Sequence, residues 1–218
     1  MNLAEIIPRI RANMGQKIVL SFALSIYFCA AYFLLQRHPI FPMTAIKAIW
    51  LDRMIPFVPG AVYLYESIWL LTPVAPWLMK SKAELNGYTK GLIAVSLMGF
   101  VVFFFHPTSC PRPNDIHDVN LLYGALIQVD WESNAFPSLH AALAVFHGAC
   151  CQAIFSTGPW HRRIRWFVRA WTLGIIGSTL LTKQHMFVDA VAGAAVGFVG
   201  YMVFCHSRKN SRKDIMPS

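Results

Sequence analysis

Residues 185–205 read HMFVDAVAGAAVGFVGYMVFC, a histidine and an aspartate at the mouth of a run that is otherwise apolar. A membrane-spanning helix needs about 20 mostly apolar residues. Scanning outward at that length gives six such runs, at roughly 18–35, 57–79, 88–106, 137–155, 167–182 and 186–205. The chain has 218 residues, 56% of them hydrophobic and 13% charged, with a mean hydropathy of +0.47, which excludes an ordinary water-soluble domain. The expected fold class is therefore all-α, a six-transmembrane-helix bundle that fills residues 1–218 as a single integral membrane domain. The first run follows Arg9, Arg11 and Lys17. It is longer than a signal-peptide core and lacks a small-x-small cleavage site, so it reads as a retained anchor.

Charge sets the expected orientation. Arg9, Arg11, Lys17, Lys80, Lys82, Lys90, Arg162, Arg163, Arg165, Arg169, Arg208, Lys209, Arg212 and Lys213 fall on one side of the six runs. Arg37, Lys47, Arg53, Arg112 and Lys183 fall on the other. Basic residues favour the cytoplasmic side, so both termini and the basic tail 206–218 are expected there. The opposite face carries the longest connection, 107–136, an outer loop leading into the site discussed below. A net charge of +9 without a basic domain outside the membrane records topology and implies no nucleic-acid partner. The five cysteines, Cys110 alone in an outer loop, form no disulfide framework and no thiolate metal site. The second run contains Pro59, Pro73, Pro76 and Glu66, so a kinked helix is expected there, with Glu66 facing protein.

With this topology, the ends of runs three to six that carry polar residues share the outer face. His185 and Asp189 are four apart, on one face of a helix, where the carboxylate can accept from the imidazole. That pairing fixes the tautomer, leaves the second ring nitrogen's lone pair outward, and makes His185 a base or nucleophile. His140 follows Pro137-Ser138 at the start of run four, where helix-start amides and the Ser138 hydroxyl suit an anion such as phosphate. A histidine beside that anion can protonate a leaving oxygen. Arg112 and Lys183, among the few outer cations, are suited to neutralising a transferring phosphoryl group.

These residues resemble the motifs of the type 2 phosphatidic acid phosphatase superfamily of lipid phosphatases and phosphotransferases. "PSLH" at Pro137–His140 is similar to its second motif, Pro-Ser-Gly-His, with leucine for glycine. Ser178, Thr179, His185 and Asp189 match the spacing of its third motif, with Thr179 where arginine belongs. Its first motif is matched only by Arg112-Pro113, because Phe105 stands at the lysine position. The resemblance implies that His185 is the nucleophile forming a phosphohistidine, Asp189 its orienter and His140 the acid for the leaving group. It implies that Arg112, Ser138 and Ser178 hold phosphate oxygens, and it implies no metal or other cofactor. Lys183 is the candidate to compensate for the two missing cations. "PSLH" with "STLLTKQH" is similar to the branch containing inositol phosphorylceramide synthases, in which a hydroxyl replaces water as acceptor.

The expected function is thus hydrolysis of a lipid phosphate or diphosphate in a membrane, with a lipid phosphotransferase as the first alternative. The low-charge face, which carries the site, is expected to be periplasmic, extracellular or lumenal. No Asn-x-Ser/Thr sequon occurs in the chain, which fits a bacterial inner membrane. Two other readings stay open: a metallohydrolase with His140, His185 and Asp189 as zinc ligands, and a transporter of an anionic solute. Substrate identity and oligomeric state carry no signature in the chain.

Overall fold

The computed structural model describes residues 3–112, 119–156 and 161–206. Pro113, Asp115, His117, Asp118 and nearly all of the basic tail lie outside the described residues. A short helix α1 (Leu3–Arg11) turns at Asn13, whose φ of 53° is a left-handed conformation that asparagine tolerates, into the long α2 (Met14–Arg37). Apolar side chains circle α2 and leave Val19, Phe22, Ile26 and Leu34 exposed, as on a helix surrounded by lipid. Lys17 is buried at its start and donates to the carbonyls of Arg9 at 2.6 Å and Trp77 at 2.8 Å. One ammonium thereby ties the free carbonyls of α1 to the chain entering the third run.

The segment 57–79 is not one helix. After α3 (Trp50–Met54) comes a 3-10 turn at Pro59–Ala61, then α4 (Val62–Glu66), α5 (Ile68–Leu71) and α6 (Val74–Leu78). Pro73 and Pro76 lack amide hydrogens, which breaks the hydrogen-bond ladder. The Ser67 and Thr72 hydroxyls donate to the carbonyls of Leu64 and Ile68, giving the interrupted backbone local partners. The kink expected from the prolines is distributed over several short turns.

α7 (Lys82–Phe105) opens with a reciprocal cap: the Ser81 hydroxyl accepts from Glu84 N, and the Glu84 carboxylate accepts from Ser81 N. α8 (Leu121–Val129) lies in the connection 107–136, and α9 (Leu139–Ile154), α10 (His161–Leu181) and α11 (Phe187–Tyr201) complete the helices. Three helices among the described residues are long and apolar enough to cross a membrane: α2, α7, and α11 with the π-turn that carries it to His206. α9 is apolar but has 16 residues, and the first half of α10 carries Arg162, Arg163, Arg165 and Arg169.

Helix α9 forms the middle of the core, packed on α11, α10, α7, α6 and α5. Its buried face begins with small residues, Ala141, Ala142 and Ala144, all fully covered. Across it stand Gly193 and Gly197 of α11, where a Cβ would collide with the carbonyl oxygens of Ser138 and Ala142. Only glycine permits this approach, which sets the register of α9 against α11. At the end of the bundle that carries the 107–136 connection, β1 (Thr44–Ala45) and β2 (Thr108–Ser109) pair in parallel, and Ser109 bridges to Ser133. This two-residue pairing stitches the loops around residues 44 and 108 together without adding a layer to a helical fold.

Candidate active site

The turn between α10 and α11 builds the first half of the site. Lys183 takes a φ of 54°, and the amides of Gln184 and His185 both return to the Thr179 carbonyl at 3.1 Å. The chain then re-enters helix with Asp189 in its first turn. Asp189 is fully buried, and its Oδ2 accepts from Met186 N at 3.1 Å and from His185 Nδ1 at 3.0 Å. His185 Nδ1 also faces the Ala135 carbonyl at 3.1 Å. Both partners only accept, so the ring proton sits on Nδ1 and the lone pair sits on Nε2. Asp52, which the sequence did not mark, fixes this turn from outside: its Oδ1 accepts from Phe187 N at 2.7 Å while its Oδ2 caps Ile49 N at 2.9 Å.

The start of α9 builds the second half. Ser138 is fully buried as its N-cap, with Oγ accepting from Ala141 N at 3.2 Å, and its own amide donates to the Asp189 carbonyl at 3.0 Å. That bond joins the two halves directly. His140 Nε2 lies 2.9 Å from the Tyr65 carbonyl, and its ring stacks on the Tyr65 ring at 3.7 Å between centroids. A carbonyl only accepts, so Nε2 carries a proton and Nδ1 is the nitrogen left to take up or give one.

The other sequence candidates are held by protein. Arg112 Nη2 donates to the Asp130 carbonyl at 2.6 Å and to Gln184 Oε1 at 2.8 Å. Lys183 Nζ donates to the carbonyls of Asp52 at 2.8 Å and Ile55 at 2.6 Å, tying the site turn to the end of α3. The buried Ser178 hydroxyl donates to the Ile175 carbonyl at 2.6 Å. Phe105, at the position of the absent lysine, is exposed and packs on Phe41 and Phe104; Thr179, at the position of the absent arginine, is buried and bonds within α10. Burial pushes the Cys110 thiol up to about 12, which removes it as a competing nucleophile.

His140 and His185 line one cavity of about 350 Å3, with Tyr32, Tyr65, Glu66, Asp130 and Asn134 as its other polar walls. Arg112, Ser138, Ser178, Lys183 and Asp189 stand behind or beside that lining. A second cavity of about 270 Å3 shares Phe28, Cys29, Trp69, Thr72 and Leu143 with the first and continues along α2 as far as Lys17. His147 lines this second cavity, with its Nδ1 3.3 Å from the Tyr88 hydroxyl, and belongs to the buried interior, away from the two site histidines. No three His, Cys, Asp or Glu side chains gather as a metal-holding group among the described residues.

No curated protein matches the chain in sequence. A family model described as the PAP2 superfamily matches residues 31–203, well over half of the chain, and spans both histidines, the aspartate and the cavity they line. Members of that family are phosphatases and related enzymes, an activity that suits paired histidines at the end of a helical membrane scaffold. The chain belongs to the PAP2 superfamily.

Proposed function

We propose that the protein is a membrane lipid phosphatase that hydrolyses a lipid phosphate through a phosphohistidine on His185. The observation that carries this reading is the His185 ring, whose Nδ1 is committed to Asp189 and Ala135 while the ring itself borders the cavity. In the first step Nε2 forms a bond to phosphorus as the ester bond to the lipid alcohol breaks, and Asp189 stabilises the charge that develops on the ring. The departing alkoxide takes the proton from Nδ1 of His140, which enters this step as the imidazolium and leaves it neutral, with its Nε2–H held on the Tyr65 carbonyl throughout. In the second step water gives a proton to His140 and attacks phosphorus, which releases inorganic phosphate and restores His185. Arg112 and the first amides of α9, capped by Ser138, are the groups assigned to the phosphate oxygens. Ser178 and Lys183 act by holding the α10–α11 turn, since their hydrogen bonds are spent on backbone carbonyls.

A lipid as substrate is supported by the two adjoining apolar cavities, which offer a path for a hydrocarbon tail from the histidines along α2. Six crossings, with the segment 57–79 as a broken second span and α9 and α10 as the fourth and fifth, are supported by the asymmetry of basic residues. The same asymmetry supports cytoplasmic termini and a site on the outer face of a bacterial inner membrane. The steps require no metal. The motif similarity to inositol phosphorylceramide synthases supports one alternative, in which a hydroxyl replaces water in the second step.

Phosphate release from a panel of lipid phosphates by purified protein in detergent with EDTA tests this reading. Release by the wild type that is lost in His185→Ala is expected. Loss of release on chelation would contradict the metal-free mechanism. Release that survives in His185→Ala would contradict the nucleophile assignment, and transport of an anion without turnover would replace the enzyme reading.

A further inference from the structure

Asn134 immediately precedes Ala135, whose carbonyl holds the His185 ring. Its φ of 63° is left-handed, which asparagine accepts and most side chains resist. The backbone on either side is pinned: Ser133 Oγ donates to the Gln36 carbonyl at 3.0 Å, and the amides of Ala135 and Phe136 donate to the carbonyl and hydroxyl of Thr108 at 3.2 and 2.8 Å. The side chain is 2% exposed, and its Nδ2 donates to the Tyr32 carbonyl at 3.3 Å. Since that carbonyl can only accept, the amide cannot be turned over, and Oδ1 is left as an acceptor. It is a buried acceptor with no partner among the described residues, on a residue that lines the cavity of His140 and His185.

The neighbouring wall has the same polarity. Asp130 and Glu66 line the cavity, whereas no lysine or arginine does so among the described residues. Asp130 Oδ1 is fixed by the Tyr32 hydroxyl at 2.8 Å and Gln36 Nε2 at 2.6 Å. A fixed, unpartnered acceptor on such a wall receives a hydrogen-bond donor. We infer that Asn134 is a specificity residue whose Oδ1 accepts from a hydroxyl on the alcohol that carries the scissile phosphate, so that the substrate is a phosphate ester of a hydroxylated lipid alcohol. The inference rests on the phosphatase reading of this cavity.

Its test is a matched pair of substrates, an oleoyl lysophosphatidate and its deoxy counterpart lacking only the free hydroxyl, assayed for phosphate release in detergent. Wild type prefers the hydroxylated substrate by at least about tenfold in kcat/KM, because a site built to bond a hydroxyl rejects the analogue without it. Asn134→Gly, which suits the left-handed backbone but lacks the amide, brings the ratio near one by slowing the hydroxylated substrate alone. Asn134→Asp keeps an acceptor and keeps the preference. Equal rates on both substrates by the wild type, or an unchanged ratio in Asn134→Gly, overturn the inference and leave the phosphatase reading standing. Silence on both substrates, with no phosphorylated His185, overturns the reading and the inference with it.

Discussion

Asp189 performs two tasks with one oxygen, capping the first turn of α11 through Met186 N and holding the proton of His185 on Nδ1. Separating the tasks gives a testable contrast. Asp189→Asn keeps the shape of the side chain but disturbs the tautomer, and is expected to lower turnover by about 10^3 to 10^4 with the melting temperature nearly unchanged. Asp189→Ala also loses the cap, at a cost of about 1 kcal/mol, so its melting temperature falls as well. Lys183 gives the opposite pattern. Its ammonium holds the carbonyls of Asp52 and Ile55, so Lys183→Met should destabilise the fold by about 2 kcal/mol. Its KM should change less than its melting temperature; a large rise in KM without loss of stability would return Lys183 to the phosphate. The His185–Asp189 pair was legible in the sequence because both partners are side chains four residues apart. The Tyr65 and Ala135 carbonyls were not, since a backbone acceptor leaves no mark on residue identity; Asp52 reaches the site from a segment remote in sequence, and Asn134, though close to Ser138, belongs to no motif.

At the level of elements, the site depends on how closely α9 and α11 approach. The Ser138 carbonyl accepts the first backbone hydrogen bond of α9, from Ala142 N at 3.0 Å, and lies where a Cβ on Gly193 would sit. Gly193→Ala must therefore push α9 away, at an expected cost of about 1 to 3 kcal/mol in a tightly packed interior. The same displacement strains the Ser138 N to Asp189 O bond, so phosphate release should fall further than stability, as an activity assay and a thermal melt on the same preparation would reveal. The apolar runs made the helices readable, including the interruption that Pro73 and Pro76 impose on residues 57–79. The sequence carried no sign of where that interrupted segment turns, or that Tyr65 within it stacks on His140. Short turns are placed by tertiary contacts and polar side chains such as Ser67, not by periodicity.

For the whole molecule, the distribution of basic residues makes a prediction that needs no enzyme assay. Glu132→Cys on the outer loop should react with a membrane-impermeant maleimide in intact cells, whereas a cysteine in place of Arg169 should react only after permeabilisation. Background from Cys110 is expected to be low, because that thiol is buried and pushed up to about 12. Labelling in the reverse pattern would invert the bundle and move the site to the cytoplasm. The helical class was legible from composition alone, while the cavity was not, since it arises where α2, α4, α5, α8 and α9 leave space between them. Chemistry at His185 is what joins these scales, and it leaves a covalent trace. Wild-type protein mixed with a phosphorus-labelled lipid phosphate and quenched in alkali should carry label on His185, acid-labile and absent from His185→Ala. Steady phosphate release without label on that histidine under rapid quench, or label retained in His185→Ala, would contradict the phosphohistidine mechanism.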